Sequence, residues 1–139
     1  MQGNRYFLDT NIFLRFVVKD DVAMAKDCER LFERIQEGTL RATTSKLVLA
    51  EFVWTCLSFY KLKKEDVVEL LGGIVAMSYL SIKDGGDFFQ ALELYQGNSV
   101  KFIDTLIAAQ VLEIKNGVVV SYDKEFEKLK VRRVEPKDV

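Results

Sequence analysis

Two acidic residues follow segments whose composition predicts β-strands. Asp9 closes the segment Arg5–Asp9, and Asp123 comes shortly after the apolar segment Val118–Val120. In an open parallel α/β sheet, functional groups gather at the carboxyl ends of the strands. Taken singly, either aspartate is also a normal turn or helix-capping residue. Taken together, they predict an acidic edge of the sheet.

Two further acids lie on predicted helices. Glu51 falls within the helix predicted over Lys46–Phe59, and its neighbours three and four residues away are mostly apolar. A carboxylate on such a face lies either at the rim of the core or at a functional site. Asp104 lies in the first turn of the helix predicted over Phe102–Lys115, where an acid also suits the helix dipole.

A cluster of these four acids would have a definite chemistry. Two carboxylates about 4 Å apart repel by about 4 kcal/mol at an effective dielectric near 20. Such a cluster must take up protons, pair with Lys or Arg, or bind a divalent cation. An all-oxygen ligand set favours Mg²⁺ or Mn²⁺ over zinc. A metal ion held this way suits hydrolysis of phosphodiesters by a metal-activated water.

Polar and basic residues near the acids fit supporting roles. Thr10 and Asn11 are placed to orient Asp9 or a phosphate, and Ser121 is placed to orient Asp123. Ordinary turn chemistry explains the same residues equally well. The basic residues nearest to the acids in sequence are candidates for holding backbone phosphates; they are Arg15, Lys46 and Lys101.

The amino-acid composition excludes several classes of catalytic and metal site. The chain has 139 residues, a net charge of −1 and no histidine. Without histidine, a Ser-His-Asp triad, a Cys-His pair and an imidazole-ligated zinc site are all excluded. The two cysteines, Cys28 and Cys56, are too few for a disulfide framework and indicate buried free thiols. We expect one domain over residues 1–139.

The same sequence predicts a cytoplasmic protein. The apolar stretch Tyr6–Leu8 is too short for a secretory signal. No apolar run approaches the roughly 18 residues of a membrane span.

Short β-rich segments alternate with longer helical ones, which predicts an α/β domain with a mostly parallel sheet. The predicted strands are Arg5–Asp9, Leu40–Thr44, Leu80–Ile82, Val118–Val120 and Val131–Val134. The predicted helices are Ile12–Val18, Val22–Gln36, Lys46–Phe59, Lys64–Met77, Asp87–Tyr95 and Phe102–Lys115. Asp20 and Ser45 are predicted to be helix N-caps, and Gly38 is predicted to end a helix. A turn is predicted over Asp84–Gly86.

Four motifs together resemble a known family. They are Phe7–Phe16 (FLDTNIFLRF), Ala50–Phe52 (AEF), Phe102–Ala109 (FIDTLIAA) and Ser121–Phe126 (SYDKEF). In this order they closely resemble PIN-domain ribonucleases, and most of all the VapC-type toxins of toxin–antitoxin pairs. The motifs cover most of the chain.

The resemblance implies a three-layer α/β/α sandwich around a parallel five-stranded sheet. It implies a Mg²⁺- or Mn²⁺-dependent endoribonuclease that forms a homodimer and is inhibited by a small cognate antitoxin. Carried over one at a time, Asp9 is the first metal-binding acid, Glu51 the second, Asp104 the third and a main ligand, and Asp123 the fourth. The resemblance also implies that Thr10 and Ser121 are supporting hydroxyls.

Other functions stay open at this point. A HAD-like phosphatase also places an aspartate after its first strand, but it needs a second acid where this chain has Asn11. A receiver domain needs adjacent acids that this chain lacks before Asp9. A PIN-domain nuclease of RNA processing and a non-catalytic binding module share the expected fold. Exposed aromatics for a homodimer or an antitoxin groove are expected among Phe59, Tyr60 and Tyr95.

Overall fold

The computed structural model describes residues 3–84 and 87–139. Its centre is a five-stranded sheet in which every strand pairing is parallel, with the order β3-β2-β1-β4-β5. The strands are β1 Arg5–Leu8, β2 Ala42–Ser45, β3 Leu80–Lys83, β4 Gly117–Val120 and β5 Arg132–Val134. The expected parallel five-stranded sheet is therefore confirmed.

Helices cover both faces of this sheet. They are α1 Thr10–Val18, α2 Val22–Glu37, α3 Lys46–Ser58, α4 Lys64–Val75, α5 Phe88–Gly97 and α6 Phe102–Leu112, with short 3₁₀ helices at Lys124–Leu129 and Pro136–Asp138. The helix α1 packs on α2 and α3, α3 packs on α4, and α5 packs on α6. Right-handed crossovers place α1–α4 on one face and α5–α6 on the other. This is the expected three-layer sandwich.

Strand composition explains why the middle of the sheet is buried. Phe7 and Leu8 of β1 and Val118–Val120 of β4 are fully buried. Consecutive apolar residues are typical of parallel strands that are covered on both faces. The strand order reverses between β1 and β4, so their carboxyl ends form the topological switch point where α/β sheets bind ligands.

Several predicted boundaries differ from the structure. Asp9 is the N-cap of α1 rather than the last residue of β1. The helix α4 ends at Val75, before Met77, and α6 ends at Leu112, before Lys115. The 3₁₀ helix Lys124–Leu129 was not predicted. Helix ends are weakly determined by local sequence, which accounts for shifts of a few residues.

The predicted helix caps were right in two of three cases. The Ser45 hydroxyl accepts from Val48 N at 3.3 Å, and Gly38 ends α2 with a φ of 81°. Asp20 was the wrong N-cap for α2, because Asp21 accepts from Met24 N at 3.0 Å. Gly85 and Gly86 of the predicted turn lie outside the described residues.

The cap assignment gives a test of the fold. Asp21→Ala should lower the free energy of unfolding by about 1 kcal/mol, since one backbone donor at the start of α2 loses its acceptor. Asp20→Ala is the matched control, because its exposed carboxylate pairs with the half-buried Arg15 and accepts no capping hydrogen bond from α2, so its loss should cost less. Urea denaturation of both variants measures the difference. Equal losses in the two variants would contradict the assignment.

Among the described residues, none of the helices combines the length and the apolar character that crossing a membrane requires.

Candidate active site

Asp9 stands at the switch point of the sheet with its side chain buried. Its backbone N–H donates to Val120 O at 3.1 Å, which ties it to the end of β4. Its side chain is 5% exposed and makes no capping hydrogen bond to α1. Instead the Ser121 hydroxyl donates to Asp9 Oδ2 at 2.7 Å, and Asn11 Nδ2 donates to the same oxygen at 3.4 Å. The carboxylate is therefore held in place by side chains.

Ser121 is the centre of this hydrogen-bond network. Its buried Oγ accepts from Asn11 Nδ2 at 3.1 Å and from Asp123 N at 3.0 Å. Asn11 in turn accepts from Tyr122 N at 3.3 Å. The predicted supporting residues Asn11 and Ser121 thus contact Asp9 directly.

Glu51 reaches the site from α3. The Thr10 hydroxyl, which follows Asp9 in the chain, donates to Glu51 Oε1. Thr10 is buried and Glu51 half-buried, so this carboxylate lies at the rim of the core. Thr10 contacts Glu51 rather than Asp9, a pairing that the sequence did not predict.

Asp104 and Asp123 complete the set from the other face of the sheet. Asp104 lies half-buried in the first turn of α6. Asp123 Oδ1 accepts from Glu125 N at 2.9 Å and so caps the 3₁₀ helix that follows β4. Among the described residues, no hydrogen bond to Asp123 Oδ2 is formed.

The acids influence one another's pKa values. Burial raises the pKa of Asp9 to about 7, helped by the charges of Glu51 and Asp104 and opposed by the Ser121 hydrogen bond. Burial also raises the pKa of Asp104 to about 6, helped by Asp123 and Glu51 and opposed by Lys101. All four predicted acids therefore lie within electrostatic range of at least one other.

Of the three predicted phosphate-binding cations, two form ion pairs with acids outside the predicted set and the third lines the acidic cleft. Arg15 Nη1 lies 2.7 Å from Asp20 Oδ1, and Lys46 Nζ lies 2.8 Å from Asp84 Oδ1. Lys101 instead lines the same cleft as Asp104.

The residues present fit a hard divalent cation held partly through water. Within residues 3–84 and 87–139, no three Asp, Glu or Cys side chains form a ready-made ligand group. Mg²⁺ usually keeps several waters and binds one or two carboxylates directly. Asp9 and Asp104 suit this mode, since each is a buried or half-buried acid whose pKa is raised mainly by burial and further by acidic neighbours. The four-acid ligand set stays a prediction.

An open cleft beside the acids contains residues that the sequence did not connect with the acidic site. Its volume is about 810 Å³, and Tyr95 and Glu125 line it together with Asp104 and Asp123. Glu125 lies inside the motif Ser121–Phe126 and adds to the charge that raises the pKa of Asp104. Tyr95 was expected as an exposed aromatic, but its place in this cleft was not, because that place depends on how α5 packs against α6.

The hydrogen bonds of Ser121 give a testable prediction. In Ser121→Ala, the pKa of Asp9 should rise further, because the hydroxyl that stabilises its charged form is lost. The free energy of unfolding should fall by about 1–3 kcal/mol, since Asp123 N loses its acceptor and Asn11 Nδ2 loses the shorter of its two hydrogen bonds. Carboxyl NMR titration and urea denaturation measure the two effects. Ser58→Ala, at an exposed hydroxyl bonded to Trp54 O, is the control; an unchanged Asp9 titration would contradict the prediction.

Comparison with known proteins gives concordant matches. The family model described as "PIN domain" matches residues 6–131. A curated relative, "VapC ribonuclease" of Aquifex aeolicus, is 24% identical over 129 residues, which cover 93% of this chain and 95% of that protein.

Solved structures share the fold. VapBC2 from Rickettsia felis, bound to a DNA fragment from its promoter, aligns with a TM-score of 0.69 and 24% identity over 94% of this chain and 97% of that chain. DNA-bound VapBC from Salmonella typhimurium aligns with a TM-score of 0.69 and 21% identity over 96% of this chain and 99% of that chain.

Proposed function

Since this chain belongs to the PIN-domain family, we propose that it is an endoribonuclease that hydrolyses RNA phosphodiesters with the help of Mg²⁺ or Mn²⁺. The observation that carries the proposal is the buried Asp9, held by Ser121 and Asn11 within electrostatic range of Glu51 and Asp104. Membership of this family excludes the phosphatase and receiver alternatives.

The proposed metal ligands are the four acids Asp9, Glu51, Asp104 and Asp123. A bound Mg²⁺ or Mn²⁺ supplies a water of lowered pKa and positive charge beside the phosphate. Ser121 and Asn11 fix the orientation of the Asp9 carboxylate, and Thr10 does the same for Glu51.

We extend the proposal to a toxin that pairs with a small antitoxin protein and acts in the cytoplasm as a single domain over residues 1–139. Its support is the likeness to the VapC ribonuclease and to the two VapBC complexes, both of which are bound to DNA. A homodimer is part of the proposal. On α3, Trp54 and Leu57 are exposed, and Phe59 is exposed directly after it, so together they provide apolar surface for a second copy.

Cleavage of a defined RNA panel tests the enzyme. Purified protein is incubated with end-labelled transfer, ribosomal and messenger RNA fragments in Mn²⁺, in Mg²⁺ and in excess EDTA. We expect discrete cuts with either metal, none in EDTA, and recovery when metal is added back. Full cleavage in EDTA, or no cut in any RNA with either metal, would overturn the proposal.

Expression in bacteria tests the toxin. The wild-type protein should arrest growth, and the Asp104→Asn variant should not. A short reading frame beside the gene, encoding a small DNA-binding protein, should relieve the arrest when co-expressed and should co-purify with this chain. A lack of growth arrest with active, soluble nuclease would instead favour a role in RNA processing. Light scattering of the purified chain tests the homodimer.

A further inference from the structure

The cleft beside the acids has two walls of different chemistry. Asp104 and Asp123 belong to one wall, and the last turns of α5 with the loop up to Lys101 form the other. Its volume of about 810 Å³ lies within the range of sites that hold small organic molecules, roughly 300–1,000 Å³. A nucleotide-sized group can therefore enter it beside the acids.

Tyr95 presents an aromatic surface in this cleft. The side chain is 46% exposed although it packs against Phe102, with the ring centroids 5.4 Å apart and the planes at 79°. Asn98 Nδ2 donates to Leu94 O at 3.0 Å and so closes the last turn of α5 beside Tyr95. Tyr95 is thus held in position by Phe102 while the residue stays partly exposed.

A cation lies in the same cleft. Lys101 is the N-cap residue of α6 and lines the cleft together with Asp104, which lies in the first turn of the same helix. In the part of the chain that the structure describes, Lys101 forms no ion pair. Proteins that bind single-stranded nucleic acid combine positive charge along the phosphate backbone with aromatic rings on which the bases stack.

We propose that Tyr95 binds substrate RNA by stacking against an unpaired nucleobase next to the cleaved phosphodiester, with Lys101 contacting a phosphate of the same strand. This inference rests on the proposed ribonuclease function and adds a substrate-binding residue outside the four acids. Proteins that recognise RNA sequence generally bind single-stranded regions, where unstacked bases stack on aromatic side chains of the protein. Tyr95 then contributes to substrate binding and takes no part in the chemical step.

Substitutions at Tyr95 test the stacking. Steady-state cleavage of one short single-stranded RNA in Mn²⁺ is compared for the wild type, Tyr95→Ala, Tyr95→Phe and Phe89→Ala. Phe89 is the matched control, because it is an 85% exposed aromatic on the same helix that does not line the cleft. We expect KM to rise about 10- to 100-fold in Tyr95→Ala with kcat little changed. The Tyr95→Phe and Phe89→Ala variants should stay near the wild type.

An abasic substrate identifies the partner of the ring. Removing the one base beside the cut should raise KM for the wild type and leave KM unchanged for Tyr95→Ala, because the two groups act as one contact. Equal KM for Tyr95→Ala and Phe89→Ala, or equal losses on the abasic RNA in the wild type and Tyr95→Ala, would overturn the inference. The same holds if light scattering shows that Tyr95→Ala changes the oligomeric state. In each of these cases wild-type cleavage still supports the ribonuclease, whereas its absence overturns the proposed function itself.

Discussion

Replacing Asp104 by asparagine is expected to reduce metal-dependent RNA cleavage by at least about a thousandfold without unfolding the protein. The substitution keeps the shape of the side chain and removes the charge that, in the proposed site, binds the cation. A bound metal ion contributes several kcal/mol of charge stabilisation in the transition state. At 1.36 kcal/mol for each factor of ten, a loss of about 4 kcal/mol corresponds to that decrease.

The matched control for this variant is Asp66→Asn. Asp66 lies in the first turn of α4, as Asp104 lies in the first turn of α6, but it is exposed and distant from the acids in sequence. Both substitutions remove a favourable interaction with a helix dipole, worth about 0.3–1 kcal/mol of stability. Only Asp104→Asn should lose cleavage of the RNA panel. Near wild-type cleavage in this variant would show that Asp104 serves only to start its helix.

Residue pattern alone was enough to locate Asp9 and Asp123 at one edge of the sheet. Each follows an apolar strand, and parallel strands end at a common edge. Asp104 was also placed correctly at the start of a helix. These predictions depend on local periodicity, which a single sequence records directly.

The contacts within the site were beyond local reasoning. Ser121 and Asp9 are 112 residues apart, and Thr10 and Glu51 are 41 residues apart. Which hydroxyl meets which carboxylate depends on strand order and helix packing, and neither is recorded in spacing along the chain. For the same reason Tyr95 appeared only as an exposed aromatic, since its cleft is formed by the end of α5 facing the start of α6.

Without a divalent cation, the protein is expected to lose stability as the pH rises from about 4 to about 7. The pKa of Asp9 rises from 3.8 to about 7, and that of Asp104 to about 6. A folded-state pKa above the unfolded value means that the folded state binds more protons in this interval. The free energy of unfolding therefore decreases as the pH rises through it. For Asp9 the decrease is on the order of 4 kcal/mol.

Urea denaturation in EDTA across pH 4–8 measures this effect as the difference between the wild type and Asp9→Asn. We expect the variant to gain stability relative to the wild type as the pH rises, because the asparagine carries no charge to bury. Excess Mg²⁺ or Mn²⁺ at pH 7.5 should restore the stability of the wild type and have little effect on the variant. The reason is that a bound cation offsets the free-energy cost of burying negatively charged carboxylates close to one another.

Asp84→Asn provides a control of opposite sign. The exposed carboxylate of Asp84 is paired with Lys46, which holds the pKa of Asp84 below its usual value. The pair therefore contributes to stability above the usual pKa of an aspartate, and this contribution is lost as the pH falls through the lowered pKa. The loss should be small and sensitive to salt, as expected for an exposed pair.

Parallel curves for the wild type and Asp9→Asn would mean that burying Asp9 carries no electrostatic cost. The acids would then have no need of a cation, and the argument for a metal at this edge of the sheet would fail.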